Sequence, residues 1–148
     1  MMKEFFQTYH HIKEFRERVI EQTRKHGYIT TLAKRRRLLP QINDSNYQNR
    51  SYAERQAVNS IIQGTCADLI KRVVIRVSHE LEKRGLCKDS GLLLTIHDEL
   101  LFEVPDTELA EVSKLVKQIM ENICPLKVPL KVKIKAGPNW GNLQEINI

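Results

Sequence analysis

Two short runs of alternating apolar residues, Leu92, Leu94, Ile96 and then Leu100, Phe102, Val104, stand on either side of His97-Asp98-Glu99. Period-two alternation puts every second side chain on one face of a strand, so runs this close in sequence bury their apolar faces together as a β-hairpin. Aligning those faces sets Ile96 opposite Leu100 and leaves His97, Asp98 and Glu99 as a three-residue loop. Loops of that length favour glycine at a left-handed position, and two adjacent carboxylates repel one another. A turn that breaks its local rule between well-patterned strands is where function is expected, and a divalent cation would remove the repulsion. Taken alone, the tripeptide would read first as an exposed acidic turn.

The rest of the chain alternates helical and extended patterns. Phe5, Tyr9, Ile12, Phe15 and Val19 carry helical spacing from Glu4 to His26, with Gly27 placed to end the helix. Tyr28 to Leu32 is rich in β-branched and aromatic residues, and Pro40 closes the segment after Arg35-Arg36-Arg37, which predicts a short hairpin arm. Gln41 to Asn49 reads as a polar loop. Val58, Ile62, Leu69, Val73, Val77 and Leu81 mark a helix from Ser51 to Arg84, either one bent helix or two abutting ones. Gly64 is the expected bend, since an interior glycine costs about 0.5–1 kcal/mol against alanine. Asp106 or Thr107 is placed to cap a helix through Ile123 that ends at Pro125. Leu126 to Lys135 alternates apolar residues with Lys127, Lys131, Lys133 and Lys135, predicting a strand with one buried and one basic face. The fold class is α+β: an antiparallel sheet with helices packed on one face, preceded by an N-terminal helix and the hairpin arm.

With 148 residues, 41% of them hydrophobic, one compact domain is possible. Lys and Arg outnumber Asp and Glu 24 to 18, a formal +6. Much of that excess lies in Arg24-Lys25-His26 and Lys34 to Arg37, which favours a polyanionic partner, nucleic acid before a membrane surface. Cys66, Cys87 and Cys124 are widely separated, with no metal-site spacing, and read as reduced intracellular thiols. No signal peptide or membrane span is evident. Trp140 is expected to anchor packing near the sheet, and His10, His11, His26 and His79 to be solvated or capping.

Arg55, Asn59 and Gln63 fall four apart on one stripe of the long helix. Asn and Gln offer donors and acceptors without charge, while the minor groove shows acceptors at every base pair, so the stripe suits duplex DNA of any sequence. A solvated helix face is the plainer alternative for three polar residues.

Together these segments resemble a known family. His97-Asp98-Glu99 between apolar strands is similar to a motif of the A-family DNA polymerases, the bacterial polymerase I group and its relatives. Ala53 to Ala57, Asn59, Gln63-Gly64-Thr65, Ala67-Asp68 and Lys71 resemble the family's preceding helix. Gly27-Tyr28, Thr31-Leu32, Arg35-Arg36-Arg37 and Pro40 resemble its hairpin arm. Ala33-Lys34 replaces the aromatic-glycine pair usual in that arm, and Cys66 stands where alanine is common. Within the family, the short connection from Leu81 to Leu92, Val128 to Val132 and Trp140 to Leu143 are most similar to the animal nu branch, then theta.

The resemblance implies template-directed nucleotidyl transfer with two Mg2+ ions, in DNA replication or repair. It makes Asp98 a metal-binding catalytic carboxylate and Glu99 a secondary catalytic participant. His97 would touch the primer backbone, Arg55, Asn59 and Gln63 the minor-groove side of the primer terminus, and Arg35, Arg36 and Arg37 the duplex phosphates. Primer-template DNA and deoxynucleoside triphosphates are the expected partners, with no membrane and a nuclear location. It divides the chain into a leading helix, 1–26, a basic arm, 27–40, and palm helices and a palm-type sheet, 50–148. The family's second catalytic aspartate and its nucleotide-holding helix have no counterpart in 1–26, so the isolated chain is expected to be an inactive fragment. The competing reading is a non-enzymatic RRM-like nucleic-acid-binding module, disfavoured because only Phe102 is available to stack a base on the central strands. A third is a fragment that competes for the larger enzyme's partners without binding nucleic acid.

Overall fold

The computed structural model describes residues 2–88 and 91–148. Helices α1 (Met2–Thr8) and α2 (His10–His26) are followed by strands β1 (Tyr28–Thr30) and β2 (Arg36–Leu38), a 3-10 turn (Pro40–Asn43) and helix α3 (Tyr47–Arg84). Strands β3 (Gly91–Ile96) and β4 (Glu99–Glu103), helix α4 (Leu109–Glu121), β5 (Ile134–Ala136), a second 3-10 turn (Trp140–Asn142) and β6 (Gln144–Ile146) complete the order. The chain forms two compact units, residues 1–68 and 69–148.

In the first unit, α2 ends as its sequence dictates. Gly27 adopts φ 74° and its N–H bonds the Thr23 carbonyl, a left-handed cap that only glycine adopts without penalty. The Asn43 side chain donates to the free carbonyl of Arg24, and the Arg24 guanidinium meets Glu54 at 2.6 Å. The first basic cluster is therefore partly structural, and its place in the last turn of α2 also suits the helix dipole. Val19, Ile29, Leu39, Ile42, Ala53 and Ala57 form the buried core.

Helical spacing predicted one helix from Glu4 to His26, but Tyr9 (φ −113°, ψ 59°) interrupts it. Phe5, Tyr9 and Ile12 are all exposed, so burial of an apolar stripe does not hold the two segments in line. The polar loop is also shorter than expected. Asn46 sits directly before α3 and accepts the Gln48 N–H at 2.8 Å, an N-terminal cap that starts the helix at Tyr47. Asp44 accepts the Asn46 N–H and the Asn49 side-chain amide, which holds its carboxyl below the ordinary Asp value, the Asn46 bond contributing most. Because the folded value is depressed, this contribution is present above the unfolded pKa and is lost as pH falls through the folded one. The Asp44 carboxyl should titrate below the ordinary Asp range by NMR; a midpoint within that range would show that its bonds from Asn46 and Asn49 do not persist in solution.

Gly64 does not break α3, which runs unbroken from Tyr47 to Arg84. Its role is close approach: a Cβ there would lie 2.8 Å from Thr31 Cγ2.

In the second unit, Val73, Val77 and Leu81 of α3 pack with Cys87 and with Val112, Leu115, Val116 and Ile119 of α4. Leu100, Phe102 and Val104 pack against that cluster, so the inward face of β4 is the one its alternation predicted. Glu108, rather than Asp106 or Thr107, occupies the N-cap of α4 without capping it by side chain. Its carboxylate instead accepts the Cys87 N–H at 2.8 Å.

The expected single sheet is absent among the described residues: β1 pairs with β2, β3 with β4 and β5 with β6, as three separate antiparallel pairs. That pairing also removes the RRM-like layout, which needs one four-stranded sheet. The predicted strand over Leu126–Lys135 reduces to Ile134–Ala136. Pro129 has no N–H to donate, and the Val132 N–H bonds Glu121 Oε1 at 3.0 Å instead of a strand. Trp140, expected as a packing anchor, is 59% exposed.

Candidate active-site hairpin and nucleic-acid interface

The β3–β4 register corrects the loop at the hairpin tip. Ile96 pairs with Glu99, not Leu100, so the loop is His97-Asp98 alone and Glu99 begins β4. The two-residue turn sets this register, and the irregularity between Leu92 and Leu94 displaces the outer pairs by one residue more, so that Leu92 faces Phe102 where the apolar faces predict Val104. Two-residue hairpin loops take primed turns with positive φ at their first position. His97 supplies it, at φ 54°. The side chains of His97, Asp98 and Glu99 are exposed. Apolar packing on the inward face of β4 thus holds two solvent-facing carboxylates on a short rigid support.

The first unit carries the polar stripe and the basic arm. Arg55, Asn59 and Gln63 are exposed along α3, as their spacing predicts. Arg55 bonds Ser51 Oγ at 2.9 Å and lies over the Tyr52 ring. The opposite face of this stretch is built from Ala53, Ala57, Ser60, Gly64 and Asp68, small residues closed by one carboxylate. The arm lies on that face. Thr31 Oγ1 donates to Asp68 Oδ2 at 2.6 Å, Arg35 Nε donates to Oδ1 at 2.7 Å, and Arg35 Nη2 reaches the Gly64 carbonyl. The Leu32 N–H bonds Thr65 Oγ1 at 3.1 Å, and Arg37 Nη1 bonds Ser60 Oγ at 3.1 Å. Arg36 instead stacks over the Tyr28 ring at 4.8 Å and is exposed.

The turn of the arm stays tight despite Ala33-Lys34: Lys34 takes φ 66° and its N–H bonds the Thr31 carbonyl at 3.0 Å. Gly64→Ala should lower stability by about 1–3 kcal/mol, because the added methyl meets Thr31 across a packed contact. An unchanged melting temperature would show that the arm is not seated there.

Thr31 and Asp68 were not singled out as site residues by sequence. The signal lay in the small-residue spacing 53, 57, 60, 64, 68, which marks a helix face approached closely by backbone. His10, His11 and Glu14 bring their ligand atoms within 4.8 Å of one another, all exposed. His11 pairs with Glu14 at 3.0 Å and, by that hydrogen bond chiefly, holds the carboxyl below its usual range.

Comparison with known proteins accords with these features. A family model, DNA polymerase family A, matches residues 1–142, and the chain belongs to that family. It is 40% identical over 139 residues to DNA polymerase I of Geobacillus stearothermophilus, covering 94% of this chain and 16% of that protein. DNA polymerase theta of Drosophila melanogaster is 38% identical over 150 residues, covering 98% of this chain and 7% of that protein. The chain thus spans a small part of the relatives it matches. Among solved structures, the POL domain of Pol1 from M. smegmatis in complex with DNA primer-template and dNTP superposes with a TM-score of 0.84 at 43% identity, covering 88% of this chain and 23% of that one. Among the described residues, no helix is long and apolar enough to cross a membrane.

Proposed function

We propose that this chain is the C-terminal palm portion of a template-directed DNA polymerase, contributing one catalytic carboxylate and part of the primer-template surface. The observation that carries the reading is the pair of exposed carboxylates held at the tip of a packed hairpin in a member of DNA polymerase family A. Asp98, in the loop itself, would be a metal-binding catalytic residue and Glu99, already in the strand, a secondary participant. The donor set fits Mg2+: carboxylate oxygens are hard ligands, and Mg2+ is usually bound through one or two carboxylates together with substrate phosphates. When bound, such a cation supplies charge stabilisation for the phosphoryl transition state and activates the attacking 3′ oxygen. Asp98 would hold charge at a fixed point, and His97 would orient the primer backbone beside it. Arg55, Asn59 and Gln63 would read the minor-groove acceptors, and the basic arm that carries Arg35, Arg36 and Arg37 would face the duplex phosphates.

The partners of this surface would be primer-template DNA and, in the complete enzyme, deoxynucleoside triphosphates. The segments 1–26, 27–40 and 50–148 would serve as leading helix, basic arm and palm. The short stretch between α3 and β3 supports the animal nu branch over theta, and with it a nuclear location. Equilibrium binding of a primer-template duplex by the 148-residue chain tests the reading. Affinity should fall steeply with salt and vary little with sequence, since phosphate contacts release counterions. Absence of binding at low salt would remove the nucleic-acid surface.

A further inference from the structure

The buried carboxylate of Asp68 has no part in the chemistry proposed above, yet more of the arm converges on it than on any other side chain described in the first unit. It takes the Thr31 hydroxyl on one oxygen and the Arg35 guanidinium on the other. Both partners belong to the turn of the arm: the Thr31 N–H bonds the Arg35 carbonyl at 3.0 Å, and the Arg35 N–H returns to Thr31 Oγ1 at 3.3 Å. One carboxylate therefore fixes both ends of that turn. Beside it, Arg35 Nη2 bonds the Gly64 carbonyl and Leu32 N–H bonds Thr65, so the stretch of α3 just after Gln63 is clasped from above. A charge-assisted bond of this kind is short and directional, and a buried carboxylate deprived of its partners is costly.

We propose that Asp68 is a positioning residue for the DNA surface: through Thr31 and Arg35 it sets the spacing between the basic arm and the exposed stripe of Arg55, Asn59 and Gln63. Arg35 then acts on DNA through the clasp, while Arg36, stacked on Tyr28 and exposed, is free to meet a phosphate. The inference rests on the DNA-binding reading of the arm.

Simple electrostatics and the clasp predict opposite signs for one substitution. Asp68→Asn removes a negative charge from a basic surface, so charge alone would tighten DNA binding. Loss of the clasp instead weakens it, by about tenfold, a change of about 1.4 kcal/mol. The experiment is primer-template binding by the 148-residue chain across a salt series, with Asp68→Asn, Arg35→Gln, the double variant and Arg36→Gln. Asp68→Asn and Arg35→Gln should each weaken binding with the salt slope unchanged, and the double variant should bind no worse than Asp68→Asn alone. Arg36→Gln should flatten the slope by about 0.9, the share of one phosphate. Tighter or unchanged binding by Asp68→Asn, or additive losses in the double variant, would overturn the proposal.

Amide hydrogen exchange at Leu32, measured on the same proteins without DNA, judges the clasp itself. Protection should be lost in Asp68→Asn while the amides of α2 keep theirs; equal protection at Leu32 in both proteins would sink the clasp. Should Asp68→Asn fail to fold, Gly64→Ala displaces Thr31 with every charge intact and should give the same loss of affinity and of Leu32 protection, and normal values for both would count against the proposal. A wild-type chain that binds no duplex would refute the DNA reading, with the clasp still decided by the exchange data.

Discussion

Asp98→Asn, introduced into a polymerase that carries this segment with the family's remaining polymerase segments, should lower single-turnover nucleotide incorporation by roughly 10³-fold or more. Its melting temperature and DNA affinity should barely change. The asymmetry follows from where the residue sits. Asp98 is exposed at the second position of a two-residue loop, so stability loses little when its charge goes, within about 0.5 kcal/mol for a surface position of this kind. Asn preserves the shape of the turn and removes only the anionic oxygen that a cation needs. Glu99→Gln should do far less, since the proposed reading gives Glu99 only a secondary role beside Asp98. Near-normal incorporation by Asp98→Asn would reduce the tip to an acidic turn.

Replacing Arg35, Arg36 and Arg37 together by alanine should flatten the dependence of duplex affinity on salt by about 1–2 in slope, according to whether one or both of Arg36 and Arg37 meet a phosphate. At low salt the affinity should fall by roughly 10–10³-fold over the same range of contacts. This variant also loses the Arg35–Asp68 pair and the Arg37–Ser60 bond, so it should melt earlier than the parent chain. An unchanged slope would place the phosphate contacts elsewhere, with the lysines of 127–135 the next surface to test.

The parts of the fold governed by local pattern were legible in the sequence. Helical spacing marked α2, α3 and α4, Gly27 ended α2, and alternation found the hairpin. The failures share a cause. The register at the tip could not be read because aligning apolar faces sets Ile96 opposite Leu100, whereas the turn closes in two residues with positive φ at His97 and no glycine to announce it, and the further slip at Leu93 leaves no mark in a run of leucines. The strand over Leu126–Lys135 was overestimated because alternation records which side chains face inward, whereas a strand also needs a partner for its backbone, and Val132 finds Glu121 instead. At the site, the stripe of Arg55, Asn59 and Gln63 and the exposed tip lie where spacing put them. The clasp at Asp68 was hidden because its partners are 37 and 33 residues away in sequence. Only the spacing of small residues along α3 hinted that something approaches that face.

The left-handed backbone at His97 has a consequence for anyone engineering this chain. A non-glycine residue in that conformation costs roughly 1–2 kcal/mol, so an optimisation guided by thermal stability alone would choose glycine at position 97 early. Such a variant would be sturdier and would lack the imidazole beside Asp98. Melting temperature and usefulness therefore run in opposite directions at this one position, and a stabilised version of the hairpin should be selected on turnover as well as on heat resistance.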